Sequence, residues 1–272
     1  MYDRPHFFDR SPQPPRWGMW GPAWVDPASK EMPPDAFDFQ QVPTHQEYLQ
    51  GQRGPELSFA DGPHALALPD VYEPAYSYPL IVWFHREGSD EEEVFEVLPL
   101  ISERNYIALA LRGNVEDGPA AEWSTAKDPP GQIAQRLQGT IEHLRTIVNL
   151  HPDRVILAGM GTGGQVALEV FLHRPEWFQG VASLNGNFQL TEMPLVRLRA
   201  LRGRRVLLTT HLSSVPGRAA QMVATGRLLY TAGLQVATRI YHDQTEHTQR
   251  RVLRDLDHWI MDGIQSAVKA AG

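Results

Sequence analysis

The sequence predicts an α/β fold, a mostly parallel sheet covered by helices on both faces and preceded by a proline- and tryptophan-rich N-terminal arm. Three observations carry the prediction. From about residue 63, short apolar runs alternate with stretches of helical period. The runs are five to seven residues long and are flanked by turn formers, the signature of strands buried on both faces. Finally, Arg154 to Gly164 joins an apolar run to an amphipathic segment through a tight glycine-rich turn.

In chain order the expected strands are His64 to Leu68, Leu80 to Phe84, Tyr106 to Leu111, Arg154 to Ala158, Gly180 to Leu184, Arg205 to Thr210 and Gln235 to Tyr241. Leu80-Ile81-Val82-Trp83-Phe84 shows why: β-branched and aromatic side chains suit a pleated, buried surface. Helices are expected between these runs. Ser89-Asp90-Glu91-Glu92 has capping-box spacing and opens Glu93 to Arg104. Gln132 to Leu150, Gln165 to His173, Arg218 to Ala232 and Thr248 to Ala270 follow.

Residues 1–62 differ in composition. Ten prolines between positions 5 and 55 remove amide donors and fix φ, which disfavours regular helix or central strand. Trp17, Trp20 and Trp24 carry too much apolar surface to leave in water, so this extended arm is expected to lie on the main domain or to recruit a protein partner or second copy. Residues 63–272 form the α/β domain in this reading.

Composition narrows the function. A formal charge of -7 argues against nucleic acid and against anionic membrane surfaces. The chain has no cysteine, which removes disulfides, thiolate metal sites and a cysteine nucleophile. Neither a signal-peptide pattern nor an apolar run of membrane-spanning length is present, so a soluble, cytoplasmic protein is expected. No metal and no cofactor is expected either. Gly159-x-Gly161-x-x-Gly164 spells a dinucleotide fingerprint, but several strands precede it and the next strand, Gly180 to Leu184, ends in Asn185 rather than an acid.

Four segments together carry a family resemblance. Pro79 to His85 followed by Gly88-Ser89-Asp90-Glu91-Glu92, Asn105-Tyr106-Ile107 leading to Leu111-Arg112-Gly113 and Trp123, the glycine-rich turn at Arg154 to Gly164, and Leu253-Arg254-Asp255-Leu256 with Trp259 occur in this order. The set resembles the phospholipase/carboxylesterase branch of the α/β-hydrolases, the group that includes acyl-protein thioesterases, over roughly residues 63–265. The resemblance implies an α/β-hydrolase-like sheet and a catalytic serine on a G-x-S-x-G nucleophile elbow. Here that turn reads Gly159-Met160-Gly161-Thr162-Gly163, with Gly161 at the vacated nucleophile position.

The rest of the implied machinery is also altered. The family's acid belongs after the strand Arg205 to Thr210, yet no Asp or Glu occurs from Met193 through His242. His247, ahead of the last helix, is the remnant base by position, with His242 beside it in the sequence. The oxyanion turn HG has become His85-Arg86: the Arg86 amide could still donate, while its side chain either plugs the acyl cavity or pairs with Glu87 or another acid. Thr162 offers a backbone amide to an oxyanion; as a nucleophile it would put Met160 where the sharp turn demands a small residue. The arginines at 197, 199, 202, 204 and 205 read as a solvated face.

These readings favour a pseudo-esterase: a hydrolase-like fold without serine-hydrolase catalysis, kept for ligand binding, protein binding or assembly. A pocket lined by His85, Arg86, Trp123, Gly161, Thr162 and His247 would take a small carboxylate- or acyl-bearing ligand, because the helix after Gly161 points amides and a positive dipole end into it. The enzyme alternative is a weakly active carboxylesterase or thioesterase using Thr162 or a histidine-activated water.

Overall fold

The computed structural model describes residues 57–59, 62–117, 120–189 and 197–271. Their elements, in order, are β1 (Leu57–Phe59), β2 (Gly62–Ala67), β3 (Tyr78–Phe84), α1 (Glu93–Ile101), β4 (Ile107–Leu111), β5 (Val115–Asp117), β6 (Ala120–Glu122), α2 (Pro130–Ile147), β7 (Leu150–Met160), α3 (Thr162–His173), β8 (Gly180–Leu184), α4 (Leu198–Leu201), β9 (Arg205–His211), α5 (Arg218–Thr231), β10 (Gln235–Tyr241) and α6 (Glu246–Ala271). Eight strands form one sheet in the order β1-β2-β4-β3-β7-β8-β9-β10. The β1–β2 and β2–β4 pairs are antiparallel, and every other pair in that sheet is parallel.

The strands alternate their side chains between two apolar layers that bury both faces of the central strands, while the edge strand β10 stays partly exposed. Val82, Leu157, Val181 and Leu208 join Ile133 and Leu137 of α2, Val166 of α3 and Met222 of α5 on one side. Ile81, Ile156, Ala182 and Leu207 join Val94 and Leu98 of α1 and Val252 and Leu256 of α6 on the other. Two tyrosines fasten α6 to the sheet from this second side: the Tyr106 hydroxyl donates to Asp257 and the Tyr241 hydroxyl to Asp255, both at 2.7 Å.

All seven expected strands are present, and the differences have local causes. β7 reaches back to Leu150, in place of the last residues expected in the preceding helix, which stops at Ile147. That helix starts earlier than expected because Pro130 suits a first turn, where its missing amide costs nothing. The capping box at Ser89 does not form. Ser89 instead bridges to Ala121, and the Asp90 carboxylate accepts the Glu92 amide at 2.9 Å. β1, the β5–β6 hairpin and α4 were not expected, being only three or four residues long. β1 falls inside the segment read as the arm; the tryptophans of that arm lie outside the described residues. No helix among the described residues is long and apolar enough to cross a membrane.

Candidate functional site

The parallel strands β3, β7, β8 and β9 end together, and the site lies beyond their C-terminal ends. Register brings its parts into place: Phe84 of β3 and Ser183 of β8 both pair with Gly159, so the turns after β3 and β8 flank the glycine turn after β7. Gly161 has φ 57° and ψ -125°, a strained conformation that a glycine adopts without a Cβ clash. Its amide donates to the Leu184 carbonyl at 2.9 Å. Gly163 serves packing, since a Cβ there would run into the carbonyl oxygens of Phe84 and His85. The elbow backbone therefore persists around a residue with no reactive atom.

A different side chain stands at that point. Thr162 donates its amide to the Glu87 carboxylate at 3.0 Å, and the Thr162 hydroxyl reaches the same group. A Cβ built on Gly161 would land on Glu87 Oε2. Glu87 thus occupies the N-terminus of α3, where a bound anion is stabilised by exposed amides and the positive dipole end. Burial pushes its carboxyl up, but the hydrogen bonds from Thr162 and the charge of Arg218 outweigh this and hold it below the ordinary range. The amide expected from the sequence to donate to an oxyanion is also taken. The Arg86 amide donates to Glu93 Oε2 at 2.9 Å, and the Arg86 guanidinium lies 3.7 Å from the other oxygen of this buried carboxylate. Burial raises the Glu93 pKa.

Beside Gly161 lies a cavity of about 80 Å3, bordered by Arg86, Glu87, Asn185, Thr209 and His211, with Gln244, Gln249 and Val252 from the α6 side. Thr209 and His211 are two apart on β9, so they share a face. Both are buried, and Thr209 Oγ1 and the two ring nitrogens of His211 have no protein hydrogen-bond partner. Such groups cost about 1–3 kcal/mol each when nothing satisfies them. Burial lowers the His211 pKa, and only the field of Asp243 opposes it. Asp243 itself is engaged with Thr245 and Thr248 at the start of α6. Asn185 enters the cavity wall with φ 54°, its amide held by the Thr209 carbonyl at 2.8 Å.

Of the residues named from sequence, Arg86 and Gly161 meet at this cavity, and Thr162 touches it through Glu87. Arg86 pairs with Glu93 rather than Glu87, while its side chain still borders the cavity. His85 is fully buried and structural. The Gly113 amide donates to its Nε2 at 3.0 Å, so Nδ1 carries the proton and donates to the Arg86 carbonyl at 3.0 Å. Burial holds this ring neutral, lowering its pKa. Trp123 braces the same turn, its indole N–H donating to the His85 carbonyl at 3.1 Å, and it is absent from the cavity wall.

His247 stands apart. Thr245 accepts the Thr248 amide on its hydroxyl and the Gln249 amide on its carbonyl, so α6 starts at Glu246 and His247 falls on the exposed side of its first turn. Gln244 and Gln249 face the cavity in its place. His211 closes β9, just ahead of the loop where the acid is missing. The arginine run does not form one solvated face: Arg197 pairs with Glu176 at 3.0 Å, Arg204 donates to the Phe178 carbonyl, and Arg205 donates to the Trp259 carbonyl while stacking over its ring. Glu87, Thr209 and His211 escaped the sequence reading of the site, because only the register of three separate strands brings them together.

No family model matches the chain. A curated relative, "Putative esterase NocK" of Nocardia uniformis subsp. tsuyamanensis, is 29% identical over 132 residues, 46% of this chain and 36% of its own length. The match therefore spans little more than a third of that relative. Among solved structures, a carboxylesterase from Mesorhizobium loti superposes with a TM-score of 0.58 at 19% identity, covering 74% of this chain and 97% of its own. The Bacillus cereus carboxylesterase gives 0.56 at 15% identity, with 74% and 93% covered. An esterase from Rhizomucor miehei gives 0.56 at 16% identity, with 75% and 78% covered. Sheet order, the glycine turn and these neighbours agree: the chain has the α/β-hydrolase fold.

Proposed function

We propose that this protein is a non-catalytic member of the esterase-like α/β-hydrolases, kept to bind a ligand rather than to cleave an ester. The observation that carries the reading is Glu87. Its carboxylate accepts the Thr162 amide at the side-chain position of Gly161, so the place for a nucleophile and the place for an oxyanion hold one internal anion. A tetrahedral oxyanion would have to displace that charge and would then find no hydroxyl behind it. The missing acid supports the same reading, since β9 runs into His211 with no carboxylate in the following loop. The anion site that the free helix end suggested is filled by the chain itself. A fluorophosphonate probe with a panel of short and long acyl esters and thioesters tests this: no labelling and no turnover above buffer are expected, and labelling of any residue overturns it.

A second reading, hydrolysis by a histidine-activated water, is favoured by one observation: His211 lies in the cavity wall with both ring nitrogens unpartnered. It replaces His247, which is exposed and outside that wall. This reading requires ester turnover that is lost in His211→Phe and kept in His247→Ala.

A further inference from the structure

We propose that the cavity between Glu87 and His211 binds a small uncharged molecule through a hydroxyl group, set against the His211 imidazole and the Thr209 hydroxyl. The inference rests on the non-catalytic reading above and adds the ligand class. Its basis is the hydrogen-bonding capacity that the protein leaves unused in one place. A neutral imidazole offers one donor and one acceptor, and a threonine hydroxyl offers a donor and acceptor lone pairs. His211 and Thr209, both more than nine-tenths buried, border the cavity, and their polar side-chain atoms have no protein partner.

Three ligand chemistries can be compared against that set. A carboxylate only accepts, so it leaves the acceptor nitrogen of His211 unmet and faces the Glu87 charge already lodged at Thr162. An ammonium only donates, so it leaves the donor N–H of His211 unmet. It also meets the Arg86 guanidinium in the wall. A hydroxyl donates and accepts and carries no charge. Both charged groups in the wall are engaged within the chain, the Glu87 carboxylate accepting the Thr162 amide and Arg86 lying against Glu93, so the site asks for no counter-ion. The remaining lining adds Asn185, Gln244 and Gln249, whose amides also both donate and accept, beside apolar Met160, Leu184 and Val252. A volume of about 80 Å3 has room for several waters or for a ligand of comparable bulk, which restricts the class to short alcohols and polyols.

The test uses the full chain and three probes of similar size: glycerol, acetate and methylammonium. Histidine ring resonances are followed by carbon–proton NMR at pH 7.5, with His211 assigned from a His211→Gln spectrum. Glycerol is expected to shift the His211 ring saturably, and acetate and methylammonium at equal concentration are expected to leave it in place. Thr209→Val should weaken glycerol about fivefold, the worth of one neutral hydrogen bond. Gln249→Ala, in the cavity wall at the start of α6, is a second variant whose folding does not depend on a buried strand, and it should likewise weaken glycerol; unchanged glycerol affinity in both variants overturns the proposal. A His211 ring that glycerol does not move, or that acetate or methylammonium saturates as readily, overturns the proposal. Failure of the non-catalytic reading is seen separately, as probe labelling or ester turnover, and leaves the outcome of the glycerol titration unchanged.

Discussion

Gly161 and Glu87 lie against each other, and a side chain at position 161 must displace the Glu87 carboxylate. Gly161→Ser puts a Cβ onto the Glu87 carboxylate and forces an L-residue into φ 57°, ψ -125°, a conformation that costs about 1–3 kcal/mol. The variant is therefore expected to lose stability of that order in denaturant titration and to show no efficient ester turnover, because β9 still leads into His211 instead of an acid. Efficient turnover would locate an orienting carboxylate elsewhere. Glu87→Ala removes both the charge and the side chain that fills the place. It is expected to expose an anion site at the N-terminus of α3, so acetate or phosphate should raise the melting temperature of the variant and leave the parent unmoved. An anion effect in the parent would show that Glu87 does not hold the site.

At the scale of the element, two strand ends carry buried neutral histidines. His85 follows β3 and His211 closes β9, and burial lowers both pKa values, against the opposing fields of Asp90, Glu91 and Glu122 for His85 and Asp243 for His211. Unfolded, each ring takes up its proton near pH 6.5. Between its folded value and about 6.5 the unfolded chain binds more protons, so stability rises with pH, is complete above about 6.5 and is lost as pH falls. Denaturant midpoints at pH 7.5 and 5.5 should differ in that direction. His211→Gln should flatten the slope without abolishing it, since His85 still titrates. The elements also show what is legible locally. β8 matches Gly180 to Leu184 to the residue, because a strand covered on both faces leaves an unbroken apolar run between turns. β1, β5 and β6 are three residues each and leave no periodic trace. The first turn of α6 misled for a different reason: Thr245 starts the helix two residues before the apolar pattern does, and that rotates His247 outward.

For the molecule as a whole, both apolar layers close within the strands and helices from β2 to α6. A chain beginning at Leu57 is therefore expected to unfold in one cooperative transition by circular dichroism. One beginning at Gly62 loses β1 and bares the edge of β2, and should be less stable or associate. Two separate transitions in the longer chain would show that the layers do not act together.

Sequence alone determined the class, the order of the longer strands and helices, the glycine at position 161 of the turn and the absence of an acid from Met193 through His242. These are properties of composition along the chain: apolar runs, glycine turns and a residue type that is present or missing. Tertiary structure decided what stands in the site. Glu87, Thr162, Thr209 and His211 lie on three stretches far apart in sequence, and they meet because parallel pairing aligns the ends of β3, β7, β8 and β9. A carboxylate in a turn reads as solvated until the register places it on a helix end, and a histidine at a strand end reads as a loop residue until packing buries it without a partner.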